Sequence, residues 1–209
     1  MVYDGALRKT VLFGGYNDSG YQGDTWTFDG NAWEKILNKD PSGFTAPGPR
    51  HSHAMVYDAT IGKSVLFGGN DASGPCSGSN CGDTWAFDGN AWERILGEDS
   101  AGVLAPISRF NHAMVYDTSL GKTILFGGED SASGFRGDTW TFDGNAWEKI
   151  LYEDSSGVTA PRPRSLHTMV YDASLGETVL FGGFDGSDRI GDTWTFDGNA
   201  WEKIFGDDI

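Results

Sequence analysis

Basic residues and cysteines are the scarce components of this chain. Its 15 Lys and Arg stand against 30 Asp and Glu, a formal net charge of -15. So acidic a surface repels nucleic acid and anionic membranes, and neither is expected as a partner. No run approaches the roughly 20 apolar residues of a membrane-spanning helix. No segment carries an amphipathic 3.6-residue period of useful length, which excludes a helical solenoid. Only two cysteines occur, Cys76 and Cys81, both in the short segment Gly-Pro-Cys-Ser-Gly-Ser-Asn-Cys-Gly. Two thiols without a nearby histidine cannot supply the four ligands of a structural zinc site. They are read as a local disulfide, with free thiols as the alternative. A bonded pair would point to an oxidising compartment, extracellular or periplasmic. Nucleophile elbow, phosphate loop and zinc motif are all missing, so neither an enzyme nor a cofactor is expected.

What is present is a repeat. Gly-Asp-Thr-Trp, then one variable residue and Phe-Asp-Gly-Asn-Ala-Trp-Glu, runs over Gly23 to Glu34, Gly82 to Glu93, Gly137 to Glu148 and Gly191 to Glu202. A period of this size specifies repeated supersecondary units rather than one conventional core. The doublets Gly14-Gly15, Gly68-Gly69, Gly127-Gly128 and Gly182-Gly183 are 54, 59 and 55 positions apart. The variation lies between doublet and Gly-Asp-Thr-Trp, where 7, 12, 8 and 7 residues intervene. Trp33 to Arg50, Trp92 to Arg109 and Trp147 to Arg164 each span 17 positions. One loop family therefore tolerates insertion while the other linkage is fixed, and variable loops are where binding specificity is usually built.

The second copy reads as four strands: Arg50 to Asp58, the apolar run Ser64 to Gly69, the period-two segment Thr84 to Asp88, and Ala91 to Leu96 after a Gly89-Asn90 turn. Four-stranded antiparallel sheets bury both faces when packed radially, which gives a β-propeller. The Gly-Gly doublets, the third-strand Phe28, Phe87, Phe142 and Phe196, the fourth-strand Trp33, Trp92, Trp147 and Trp201, and the recurrent lead arginine resemble the kelch repeat over essentially the whole chain. The expected fold is all-β, a four-bladed kelch-like propeller in one domain. Its blades lie at about 1–40, 50–99, 109–154 and 164–209. A monomeric ring is the expectation, and repeats that assemble between chains into a larger ring are the alternative.

The resemblance also implies a site. In peptide-binding kelch proteins, arginines at this motif position line the channel mouth and hold carboxylates, joined by the residue after the doublet. Carried over, that names Arg50, Arg109 and Arg164 with Tyr16, Asn70, Glu129 and Phe184. Guanidinium groups suit bidentate carboxylate recognition. The competing reading is that each arginine pairs with an Asp of its own or the next blade. The recurrent histidines His53, His112 and His167 are read as core residues, with a metal as the alternative. Asp29, Asp88, Asp143 and Asp197 belong to turns. Asp24, Asp83, Asp138 and Asp192 are expected to bond neighbouring backbone at strand entry. The functional expectation is a non-catalytic scaffold that binds a protein or peptide, possibly an acidic one, through loops and channel mouth. A carbohydrate-binding propeller is the alternative, with Tyr16, Tyr21, Phe135 or Phe184 stacking on sugars.

Overall fold

The computed structural model describes residues 1–71, 76, 79–132 and 134–206, and the described residues form strands, turns and loops without a helix. The chain divides into two compact units, Met1–Phe110 and Asn111–Ile209. The first holds β1 (Val2–Asp4), β2 (Lys9–Asn17), β3 (Gly20–Phe28) and β4 (Trp33–Leu37) in one sheet. Its second sheet is β5 (Ala54–Asp58), β6 (Lys63–Phe67), β7 (Thr84–Phe87) and β8 (Trp92–Leu96). The second unit repeats the plan. There β9 (Ala113–Asp117) and β10 (Lys122–Phe126) join β13 (Thr139–Phe142) and β14 (Trp147–Leu151). The short pair β11 (Glu129–Asp130) and β12 (Gly134–Phe135) caps the intervening loop. The last sheet is β15 (Thr168–Asp172), β16 (Glu177–Phe184), β17 (Arg189–Phe196) and β18 (Trp201–Phe205). All four large sheets are antiparallel with strands in sequence order.

The local chemistry explains these elements. The third and fourth strands meet through an Asx turn: Asp88 Oδ1 accepts from the backbone N–H groups of Asn90 and Ala91, and Gly89 takes φ 101°. Asp29, Asp143 and Asp197 repeat the device, as the sequence suggests. The fixed linkage is held by Asp40, Asp99 and Asp154, each of which gathers several backbone N–H groups of its own loop. The first strand of the second repeat is shorter than expected. It begins at Ala54 because Ser52 lies in the left-handed region at φ 56°, which breaks the extended run from Arg50.

Within each unit the second sheet packs on the first through one set of contacts. In the first unit Trp92 stands edge-on to Phe13 at 5.3 Å, and its Nε1–H donates to Thr25 Oγ1 at 2.8 Å. Ser64 Oγ donates to Asp4 Oδ2 at 2.8 Å. In the second unit Trp201 meets Phe126 at 5.3 Å and donates to Thr139 Oγ1 at 2.9 Å, while Thr178 Oγ1 donates to Asp117 Oδ2 at 3.2 Å. Each core gathers on these aromatics: Val11, Phe13, Leu66, Trp85, Phe87 and Trp92 in one unit, Ile124, Phe126, Leu180, Trp194, Phe196 and Trp201 in the other. Truncating one such Trp to Ala costs about 3–5 kcal/mol.

Candidate functional site

The expected site sits where the Gly-Gly doublets meet the lead arginines, and the backbone builds it. Gly15 N–H donates to Arg50 C=O at 2.8 Å, and Arg50 N–H donates to Gln22 C=O at 3.0 Å. Gly69 with Arg109, and Gly128 with Arg164, make the same bond at 2.9 Å. A Cβ on Gly14 would lie 2.5 Å from Arg50 O, and Gly14 holds φ 66°. Both facts demand glycine there. The doublet is thus a socket for the backbone of the next repeat's arginine.

The arginine side chains run inward. Arg50, Arg109 and Arg164 are fully buried. Arg50 Nε donates to Gly48 O at 3.0 Å, Nη1 to Gly68 O at 3.0 Å and Asp83 Oδ1 at 2.6 Å, and Nη2 to Asp83 Oδ2 at 3.2 Å and Cys76 Sγ at 3.7 Å. These engage all five N–H donors of the guanidinium. Arg164 follows the same scheme with Arg162 O at 3.0 Å, Gly182 O at 3.0 Å, and Asp192, whose Oδ1 and Oδ2 accept from Nη1 and Nη2. Arg109 Nε donates to Ile107 O at 3.1 Å. For Arg50 and Arg164 the bidentate carboxylate thus comes from the chain itself. Asp83 and Asp192 also accept from the indole N–H groups of Trp85 and Trp194, at 2.6 and 2.8 Å. Side chains, rather than neighbouring backbone, therefore account for these two aspartates. Burial pushes the Asp83 carboxyl up, but the Arg50 charge and hydrogen bonds outweigh it and hold it below the usual range. In the first repeat Asp24 accepts from Lys35 Nζ at 2.7 Å and from the Lys39 backbone at 2.8 Å.

Above this platform the residues after the doublets differ between units. In the first unit Tyr16, 66% exposed, stands edge-on to Tyr21 and to His51. Tyr21 stacks on His51 at 5.3 Å and donates its hydroxyl to Asn70 Oδ1 at 3.0 Å. Asn70 and His51 exchange backbone hydrogen bonds of 2.8 and 3.1 Å. The expected residues Tyr16 and Asn70 are therefore brought together, with Tyr21 and His51 completing the cluster. In the second unit Phe184 pairs with Ser165 through the same backbone exchange and meets Phe135 edge-on at 5.7 Å. Glu129 Oε1 accepts from Asn111 Nδ2 at 2.9 Å. Beside Phe184, a cleft of about 600 Å³ is lined by Arg162, Asp185, Arg189, Ile190, Lys203 and Phe205.

Two of the repeat histidines lie in the sheet packing. His53 faces Phe13 at 5.6 Å and His167 faces Phe126 at 5.3 Å, both edge-on. Burial, reinforced by the nearby Arg50 and Arg164 charges, pushes each down to about 3. Cys76 and Cys81 are joined by a disulfide with Cα atoms 5.1 Å apart. Asp71 lies beside them, but disulfide sulfur is not the thiolate that metals take. The rest of the cysteine-containing insertion, 72–75 and 77–78, falls outside the described residues.

The sequence reading missed His51, because its role depends on a backbone pairing across the loop. It also missed the left-handed trio Ser52, Asn111 and Leu166, at φ 56°, 54° and 58°. Asn111 was the available signal, since Asn tolerates that region.

No family model matches the chain. It is similar to host cell factor homolog hcf-1 of Caenorhabditis elegans, 29% identical over 176 residues that cover 78% of this chain and 22% of that protein. An F-box/kelch-repeat protein of Arabidopsis thaliana is 27% identical over 208 residues, 90% of this chain and 40% of that protein. A leucine-zipper-like transcriptional regulator 1 homolog of Drosophila melanogaster is 25% identical over 210 residues, 97% of this chain and 20% of that protein. The chain spans less than half the length of each. One relative carries the kelch repeat in its name, and the antiparallel four-stranded sheets fit the kelch-type β-propeller architecture that the motif implies.

Proposed function

We propose that this chain is a non-catalytic binding module that recognises a protein or peptide through the loops above the Gly-Gly doublets. The observation that carries this reading is the aromatic cluster in which the exposed Tyr16 stands on half-buried Tyr21 and His51, seated on a platform whose arginine is wholly committed beneath it. Rigid aromatics with few rotatable bonds give contact area at low entropic cost. Kelch repeats typically serve protein interaction, and the kelch-named relative is consistent with that role. Phe184, Phe135 and the Asn111–Glu129 pair are the corresponding surface in the second unit. The neighbouring cleft sets Arg162, Arg189 and Lys203 against Asp185 and Asp188, and this small positive excess suits an acidic segment. The lead arginines Arg50, Arg109 and Arg164 support this surface from below rather than touching the ligand.

The test is selection of peptides from a random display library on the immobilised chain, followed by affinity measurement. Tyr16→Ala and Phe184→Ala should each weaken the selected peptides at least tenfold. Wild-type affinity retained by both variants would place recognition elsewhere. The exposed Tyr16 ring, edge-on to the Tyr21 ring whose hydroxyl donates to Asn70, also fits sugar stacking. A glycan array giving hits that Tyr16→Ala abolishes, with no peptide selected, would favour that second reading.

A further inference from the structure

We propose that the outer sheet faces of the first and fourth repeats join head to tail between two copies of this chain. Each unit displays a complete version of the joint. In both, the preceding sheet offers a socket and the following sheet a plug. The socket is Phe13 with Thr25 in the first unit and Phe126 with Thr139 in the second, and the plug is Trp92 or Trp201. Their exposures are 3% and 0% for the two Phe, and 6% and 5% for the two Trp.

The fourth repeat carries the same socket, Phe181 with Thr193, yet Phe181 is 52% exposed. The first repeat carries the same plug, Trp33, which is 46% exposed although it still leans on its own Phe28 at 5.2 Å. Two further pairs match independently. Asp4 and Asp117 use one carboxylate oxygen to fix their turn and the other to accept from Ser64 and Thr178 of the following sheet. Asp172 fixes its turn through Oδ1 in the same way, and Thr10 is the hydroxyl at the matching position of the first repeat. Likewise a Cβ on Gly89 would lie 2.5 Å from Leu7, and one on Gly198 2.8 Å from Leu120, because those leucines cover the hairpins. Gly30 has nothing within 4 Å of that position, and Leu175, its matching cover, is 58% exposed. Plug, socket, acceptor and cover therefore all stand ready on complementary faces. Large exposed apolar groups arranged this way mark an interaction surface. The occupant they fit is another copy of this chain. Two different patches make the contact heterologous, so it closes as a dimer or continues to higher species.

Light scattering of the 209-residue chain at rising concentration tests this. The expected mass is at least twice 22.6 kDa, falling towards 22.6 kDa for Trp33→Ala and for Phe181→Ser. Both side chains are exposed, so circular dichroism should show each variant folded. The decisive step is mixing the two variants. Each alone lacks half of every joint, but the mixture retains one intact Trp33 against one intact Phe181 and should regain dimer. A wild-type monomer at all concentrations overturns the proposal. So does a monomer whose Trp33 fluorescence resists iodide, which would mean closure within one chain. Undiminished self-association of both variants overturns it as well.

Discussion

Asp83→Asn should be among the most destabilising single changes in the first unit. Asp83 is 4% exposed and accepts three hydrogen bonds, two from Arg50 and one from Trp85. The amide keeps the shape but removes the charge, and it turns an NH2 towards a guanidinium that has only donors. Leaving one partner of a buried pair uncompensated costs about 3–5 kcal/mol. The chain carries its own control. Asp24 occupies the same repeat position, but its partner is Lys35 and their side chains are 22% and 38% exposed. Exposed pairs contribute about 0–1 kcal/mol, so Asp24→Asn should cost about 1 kcal/mol or less. Urea unfolding followed by tryptophan fluorescence measures both. If Asp83→Asn costs no more than Asp24→Asn, the Arg50 charge is satisfied without Asp83. The guanidinium would then be available to a ligand after all.

Mild acid should also weaken the fold. His53 and His167 hold folded pKa values of about 3, below the unfolded value, so the unfolded chain takes up protons first and stability falls as pH drops from about 6.5 towards 3. Each histidine should account for about 2 kcal/mol lost between pH 7 and pH 5, and urea midpoints that do not move for wild type relative to His167→Leu would refute this. Reducing the Cys76–Cys81 disulfide, which closes a loop with a separation of 5, should lower stability by about 2 kcal/mol in unfolding curves with and without reductant. Arg8→Gly should stabilise by about 0.5 kcal/mol, the net of relieved left-handed strain and added chain entropy. Arg8 holds φ 55° where Gly62, Gly121 and Gly176 stand in the other repeats, and a lowered thermal midpoint would contradict the argument.

The four-stranded sheets were legible because their punctuation is chemical and local. Asp88-Gly89-Asn90 writes an Asx turn with a positive-φ residue, and the structure places that turn there. The alternation of Thr84 to Phe87 likewise becomes β7. The site was legible only in part. Sequence put Tyr16 and Asn70 after the doublets, and they do share one cluster. The direction of the arginine side chain was not readable from strand alternation, because Ser52 takes a left-handed turn that resets the parity before β5 begins.

What the repeat conceals is position in the array. Trp33 and Trp92 stand in the same sequence, Asp-Gly-Asn-Ala-Trp-Glu, and lean on the same Phe of their own sheet at 5.2 and 5.1 Å. Yet one is 46% exposed and the other 6%. No local propensity distinguishes them. Trp92 owes its burial to Phe13 and Thr25 of the preceding sheet. In repeat proteins stability is a sum of intrinsic units and nearest-neighbour interfaces. Identical motifs therefore contribute unequally. Trp92→Ala should cost several kcal/mol more than Trp33→Ala in the dissociated chain, and that gap should narrow when Trp33 finds a partner sheet.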